Sequence, residues 1–410
     1  MLIDFQQHYT PPELLKGNAD AVSVQVDQDG NPNYLLNPLL ADLTSHIRVM
    51  DAACIDAAVL SCGSGFDQPD LAICRQINDR MREAEIAHPG RFIGLAHVPA
   101  LKPAEAMAEL KRCTVELGFP GVVIASELQE QPLDAEALRP FWKACADLNL
   151  YVFIHPLPRV IRWGHMSADD LGRMLGWEFS LMTATVRVIN SGVLDELPNL
   201  KIQFSHFSGG IGRYLGRIRG FQQRDKWGTA KVPRHGRRPP KPFDHYLDHR
   251  LYYDIAGWAG PDHAAEWGAD WVRFGLDELA FSQLVFATDY PQAVREAGEV
   301  AAYVEAVRGL GGNGRALVAG VNAEKLIPDV AARLAKRTSR AAKVPARTRS
   351  RSPPRPKPST QPPTAGSSST TRRSAIWSAR SGGAKRRNCA GPSWSRPSTS
   401  TAPAICTAAC

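Results

Sequence analysis

Three imidazoles and one carboxylate stand at equivalent places along this chain. His8 follows LIDFQQ, His155 closes YVFIH, His206 closes KIQFSH and Asp289 closes LVFATD. Each ends a short apolar run, and a further histidine, His97, stands near the end of FIGLAHV. A lone histidine in such a place is more often a structural hydrogen-bonder than a ligand. Several metal-ligand types at successive run ends point instead to one shared centre. Imidazole nitrogens with a carboxylate oxygen form a donor set suited to Zn²⁺ or Mn²⁺. Such an ion polarises a substrate oxygen or lowers the pKa of bound water toward ~7. No lysine closes the run GVVIASE, so the bridging modified lysine of a two-metal centre has no candidate. One divalent ion is expected, Zn²⁺ ahead of Mn²⁺.

These residues need elements that bring distant run ends together. The apolar runs are residues 2–5, 57–61, 92–98, 121–125, 151–155, 201–206, 251–255 and 284–289. They are continuous and do not alternate, as strands buried on both faces do in a parallel sheet. Longer helical patterns lie between them, at 70–88, 103–117 and 134–148; the second carries a stripe of Ala106, Leu110, Cys113 and Leu117. Strands alternating with helices in this number predict an α/β fold, a (β/α)₈ TIM barrel over residues 1–335. In a barrel the working groups gather at the C-terminal strand ends, where these residues fall. The competing doubly wound sheet usually has a Gly-rich turn after its first strand; here that place reads Gln6-Gln7-His8.

The net charge of +8 over 410 residues hides two unlike parts. Residues 336–410 hold sixteen of the 49 basic residues and none of the 41 acidic ones, which leaves 1–335 at −8. The tail is rich in Arg, Ser and Pro and has no apolar pattern, so it is expected to be disordered. Its lack of carboxylates and its isolated Trp377 and Trp394 fit a frameshift product better than a basic arm. No aromatic interleaving or folded motif suggests a specific nucleic-acid partner. The eight cysteines form no Cys-x-x-Cys pair and read as reduced thiols. No apolar run reaches the ~20 residues that span a bilayer, and residues 1–5 are too short for a signal peptide. A cytoplasmic enzyme without membrane contact is expected.

A series of longer motifs adds to this reading. MLIDFQQHYTPPELL, HIRVMDAACIDAAVLS, HPGRFIGLAHVPAL, ELGFPGVVIAS, YVFIHP, NLKIQFSHFSGGIGRYLGRI, LVFATDYP and VAGVNAEKLI occur in that order. Together they resemble the amidohydrolase-related branch of the amidohydrolase superfamily, which includes the aminocarboxymuconate-semialdehyde and γ-resorcylate decarboxylases. The resemblance runs from residue 2 to about 334 and implies the same barrel. It implies that His8, His155 and Asp289 are metal ligands and that His206 and Asp289 handle the proton. It further implies that Arg217, or Arg213 in its place, grips a substrate carboxylate and that Arg48 approaches the substrate. Where many members have Asp-x-His-x-His, this chain reads Asp4-Phe5-Gln6-Gln7-His8. Residues 6 and 8 of a strand share a side, so Gln6 is expected to face the ion as a weak, uncharged ligand. The implied activity is non-oxidative decarboxylation of a small aromatic or unsaturated carboxylic acid by a homodimer. Hydrolysis of a lactone, amide or C–C bond is the alternative, and a barrel that binds a carboxylate without turnover is a third.

Overall fold

The computed structural model describes residues 1–15, 23–26, 32–157, 166, 169–224, 237–258 and 263–335. The tail 336–410 and its expected disorder lie outside them.

The apolar runs become parallel strands: β1 (Ile3–His8), β2 (Ala57–Ser61), β3 (Phe92–Gly94), β4 (Gly121–Ala125), β5 (Tyr151–His155), β6 (Lys201–Phe204), β7 (Leu251–Asp254) and β8 (Leu284–Val285). β1 pairs with β2 and β2 with β3. A second sheet runs β4-β5-β6-β7-β8. Two parallel bridges join the sheets at both edges: Gln7 to Tyr290, and Ala96 to Val122. Spatial order therefore follows chain order and the ring closes, which is the (β/α)₈ barrel; a doubly wound sheet would keep two free edges. An antiparallel hairpin, Ser23–Val26 with Pro32–Leu36, is inserted after β1.

The connecting helices are α1 (Leu43–Ala52), α2 (Leu71–Ala87), α3 (Pro103–Arg112), α4 (Arg139–Asp147), α5 (Trp177–Ser191), α6 (Leu215–Gln222), α7 (Phe243–His249) and α8 (Ala264–Glu278); α9 (Ala297–Gly309) follows β8. Local chemistry sets their ends. Asp70 caps α2 by accepting from the Ala72 amide at 2.7 Å, and Asp42 caps α1 through Thr44 and Ser45. Pro103 and Pro140 stand in first turns, where a missing amide hydrogen costs nothing. Pro140 also explains why the pattern expected from 134 becomes regular helix only at Arg139. Among the described residues no helix is long and apolar enough to cross a membrane.

β1 runs three residues past its apolar core, to His8, because Gln7 and His8 pair with Leu60 and Ser61. The last strands are shorter than their apolar runs. β6 stops at Phe204 and β8 at Val285, so His206 and Asp289 stand beyond the ladder. Both adopt left-handed backbone, with φ of 57° and 56°. Free cysteines Cys62, Cys74, Cys113 and Cys145 are buried, and Cys54 is exposed. His97 is a core residue: its Nε2 accepts from the Cys62 amide at 3.0 Å, and burial lowers its pKa to about 3.

Candidate active site

The site is built where β1 meets β8. The Asp289 amide donates to the Gln6 carbonyl at 3.0 Å, and the His8 amide to the Tyr290 carbonyl at 2.8 Å. Asp4, fully buried, ties this seam from below. It accepts from the Thr288 amide (3.0 Å), Thr288 Oγ1 (2.5 Å), Gln7 Nε2 (2.8 Å) and the Gln6 amide (3.2 Å). Burial nonetheless raises its pKa to about 6, against the pull of those donors.

Above the seam, ligand atoms of His8, His155 and Asp289 all lie within 4.8 Å of one another, and all three residues are buried. His8 Nε2 is 2.8 Å from Asp289 Oδ1. Donors bound about 2.0–2.2 Å from one ion lie up to roughly 4.4 Å apart, so this spacing is close to what a single ion needs. Each imidazole is oriented through its other nitrogen. His155 Nδ1 donates to the Pro156 carbonyl at 2.9 Å, leaving Nε2 as its free donor atom. His8 Nδ1 lies 3.0 Å from Ser61 Oγ at the end of β2. Burial first, then neighbouring His8 and His206, hold His155 neutral, the form that ligates. Phe66 walls the centre, its ring 4.3 Å from that of His155.

Gln6 shares the side of β1 that His8 occupies, as the spacing of two requires. Its Nε2 is 3.0 Å from Asp289 Oδ1 and 3.5 Å from Nε2 of both His8 and His206. Its Oε1 is buried without a hydrogen-bond partner among the described residues. An amide nitrogen thus sits at the hub of a carboxylate and two imidazoles, while an acceptor has nothing to accept. Half a turn of the amide exchanges the two atoms and brings an oxygen toward the cluster. Two nitrogens and two oxygens then converge, a set that fits one divalent cation.

His206, two residues past the end of β6, faces the same cluster. Its Nδ1 is 2.9 Å from Glu178 Oε1, and its backbone amide donates to Asp254 Oδ1 at 3.0 Å. Burial opposes charge on this ring, but Glu178, then Asp289 and Asp254, outweigh it and raise the pKa to about 9. Asp254 itself is raised to about 6 by burial.

The amidohydrolase family profile matches residues 3–328. The chain belongs to the amidohydrolase family. A γ-resorcylate decarboxylase of Rhizobium sp. is 30% identical over 309 residues, covering 70% of this amidohydrolase and 87% of that protein. A 2-amino-3-carboxymuconate-6-semialdehyde decarboxylase of Dictyostelium discoideum is 35% identical over 158 residues, covering 38% of this chain and only 44% of its own. Among solved structures, a dihydroxybenzoic acid decarboxylase of Polaromonas sp. with bound manganese and 2-nitroresorcinol superposes with a TM-score of 0.63. It is 24% identical, covers 79% of this chain and 96% of its own, and supports the barrel.

This amidohydrolase brings together Gln6, His8, His155, His206 and Asp289. It does not bring the arginines to them. Arg213 is 3.0 Å from Glu278 and lies over the Phe274 ring on α8. Arg217 is exposed on α6 and lies over Phe221 of its own helix. Arg48 is exposed on α1. Each sits on a helix surface, where a long cationic side chain is most readily solvated. Sequence reasoning missed Ser61, Glu178 and Asp254. Ser61 and Asp254 close or nearly close their apolar runs, so strand-end position could have marked them. Glu178 comes from a helix and carried no such mark.

Proposed function

We propose that this amidohydrolase is a metal-dependent decarboxylase of a small aromatic carboxylic acid, with His8, His155 and Asp289 as the ligands of one divalent ion, Zn²⁺ or Mn²⁺, and Gln6 as a fourth, weak one. The observation that carries the reading is the convergence of those three ligand atoms within 4.8 Å, with the His206 ring beside them, its Nε2 3.5 Å from Gln6 Nε2 and its Nδ1 2.9 Å from Glu178. The relatives' shared chemistry supports it. The ion would supply Lewis-acid charge to the substrate's oxygens.

The chain's own residues supply the rest. Phe66 and the half-buried Trp177, whose rings lie 4.3 and 6.2 Å from that of His155, supply apolar ring surface beside the centre for an aromatic substrate. Among the described residues the three candidate arginines sit on helix surfaces, and His206, in its protonated form, pairs with the substrate carboxylate. His206 Nε2 then gives its proton to the ring carbon that bears the carboxylate. The bond from that carbon to the carboxylate breaks, its electron pair restores the aromatic ring, and CO₂ leaves. His206 regains a proton from solvent. Asp289 holds its place against His8 and Gln6 throughout and offsets the positive charge. The expected homodimer fits the exposure of Tyr214, Phe221 and Phe274.

The test is a screen of the metal-loaded protein against hydroxylated benzoates with CO₂ detection. Release of CO₂ that falls at least ~10²-fold in both Asp289→Asn and His206→Asn, with the fold intact, is expected. Turnover of lactones or amides without CO₂ release from any carboxylate would reject the reading.

A further inference from the structure

The loop that carries His206 has an unusual backbone. His206, Phe207, Ser208, Gly209 and Gly210 have φ of 57°, 49°, 57°, 71° and 69°, a full left-handed turn directly after β6. Left-handed backbone costs roughly 1–2 kcal/mol for each non-glycine residue, so something must impose it. Helix α5 does so at several points. A Cβ on Gly209 would stand 2.0 Å from the Glu178 carbonyl oxygen, so the turn packs directly on the first turn of α5. Ser208 Oγ makes a short hydrogen bond to Thr185 Oγ1. Glu178 and Thr185 are seven apart, two turns along one face of α5. From that face Glu178 also reaches His206 Nδ1 at 2.9 Å. Its other oxygen, Oε2, is buried with no hydrogen-bond partner among the described residues. Among the described residues the carboxylate's side-chain hydrogen bond is thus to that ring.

We propose that Glu178 is a positioning residue for His206: by accepting from Nδ1–H it keeps the proton on Nδ1 when Nε2 gives up its own, and it holds Nε2 toward Gln6 and Asp289. This rests on His206 having the part proposed above. The two nitrogens of a histidine differ in role, and the bond made by one decides what the other can do. Without Glu178 the ring can rotate and leave Nε2 away from the cluster, while the ligands of the ion stay in place.

Nuclear magnetic resonance of the full-length, Zn²⁺-loaded protein with ¹⁵N-labelled histidine tests this without any substrate. The His206 signal is assigned by its loss in His206→Asn. The wild type is expected to show a protected, low-field Nδ1–H resonance for His206. Glu178→Gln keeps a neutral acceptor, so the resonance persists at higher field, since a charged acceptor makes the stronger bond. Glu178→Ala loses it to solvent exchange. If Glu178→Ala does not fold, the shift in Glu178→Gln decides alone. A His206 resonance unchanged in Glu178→Gln overturns the proposal. Zn²⁺ affinity is expected to stay at the wild-type value in Glu178→Gln, and its collapse would show that Glu178 serves the metal centre instead. On a carboxylate turned over by the wild type, Glu178→Ala is expected to lower kcat roughly 10–100-fold with KM little changed, and Glu178→Gln to restore part of it. If His206→Asn leaves kcat unchanged, the reading of His206 in turnover fails, and the resonance still reports on the positioning.

Discussion

Gln6 has three polar partners on its amide nitrogen and, among the described residues, no hydrogen-bond partner on its amide oxygen. In this arrangement the NH₂ group stands in for positive charge beside Asp289. A bound cation reverses the requirement, and the oxygen must face the centre. A neutral amide oxygen is a poorer donor than imidazole or carboxylate. Gln6→Glu and Gln6→His are therefore each expected to lower the metal dissociation constant by about tenfold or more, roughly 1.4 kcal/mol, measured by chelator competition. If both leave it unchanged, Gln6 is not a ligand. At this scale the sequence was informative where chemistry and strand position coincide. His8, His155, His206 and Asp289 were legible because each ends an apolar run that must enter one barrel mouth. The arginines were not, because a motif such as YLGRI fixes a helix but not which of its faces looks inward. Arg217 stacks on Phe221 of its own helix, a contact four residues away that the motif does not announce. Glu178 was illegible for a related reason: it reaches the site across a contact between α5 and the left-handed turn, and although Gly209 and Gly210 suit such a turn, nothing local says which helix packs on it.

At the scale of elements, the seam between β1 and β8 decides whether the ligands meet at all. β1 supplies Gln6 and His8, the segment after β8 supplies Asp289, and the two are joined by few backbone bonds because β8 is only Leu284–Val285. Asp4 compensates by gathering four donors from both sides of the seam. Asp4→Ala would leave those donors buried and unpaired, and is expected to destabilise the fold by about 2–4 kcal/mol in denaturant unfolding. An effect under about 0.5 kcal/mol, typical of an indifferent surface position, would show that the seam closes without it. The strands themselves were readable from apolar runs because residues buried on both faces leave no alternation. Their ends were less so, since the ladder stops where pairing stops and not where hydrophobicity does: Phe286 and Ala287 are buried yet outside β8.

At the scale of the molecule, the barrel closes within the described residues, and every group assigned to the site lies between Gln6 and Asp289. The composition of 336–410, with its few scattered large apolar residues, offers too little apolar surface to form a core. Truncation after Ala335 is accordingly expected to leave turnover and Tm nearly unchanged; a fall of more than ~5 °C would show that the tail contributes to the folded state. The central claim is that His8, His155 and Asp289 hold one divalent ion. Its most direct test is the metal content of the dialysed protein after loading with Zn²⁺ or Mn²⁺, for the wild type, His8→Ala and His155→Ala. The account predicts about one tightly held ion per chain in the wild type and almost none in either variant, as for a centre built on a minimal donor set. A wild type that retains no ion, or variants that retain as much as the wild type, would contradict it.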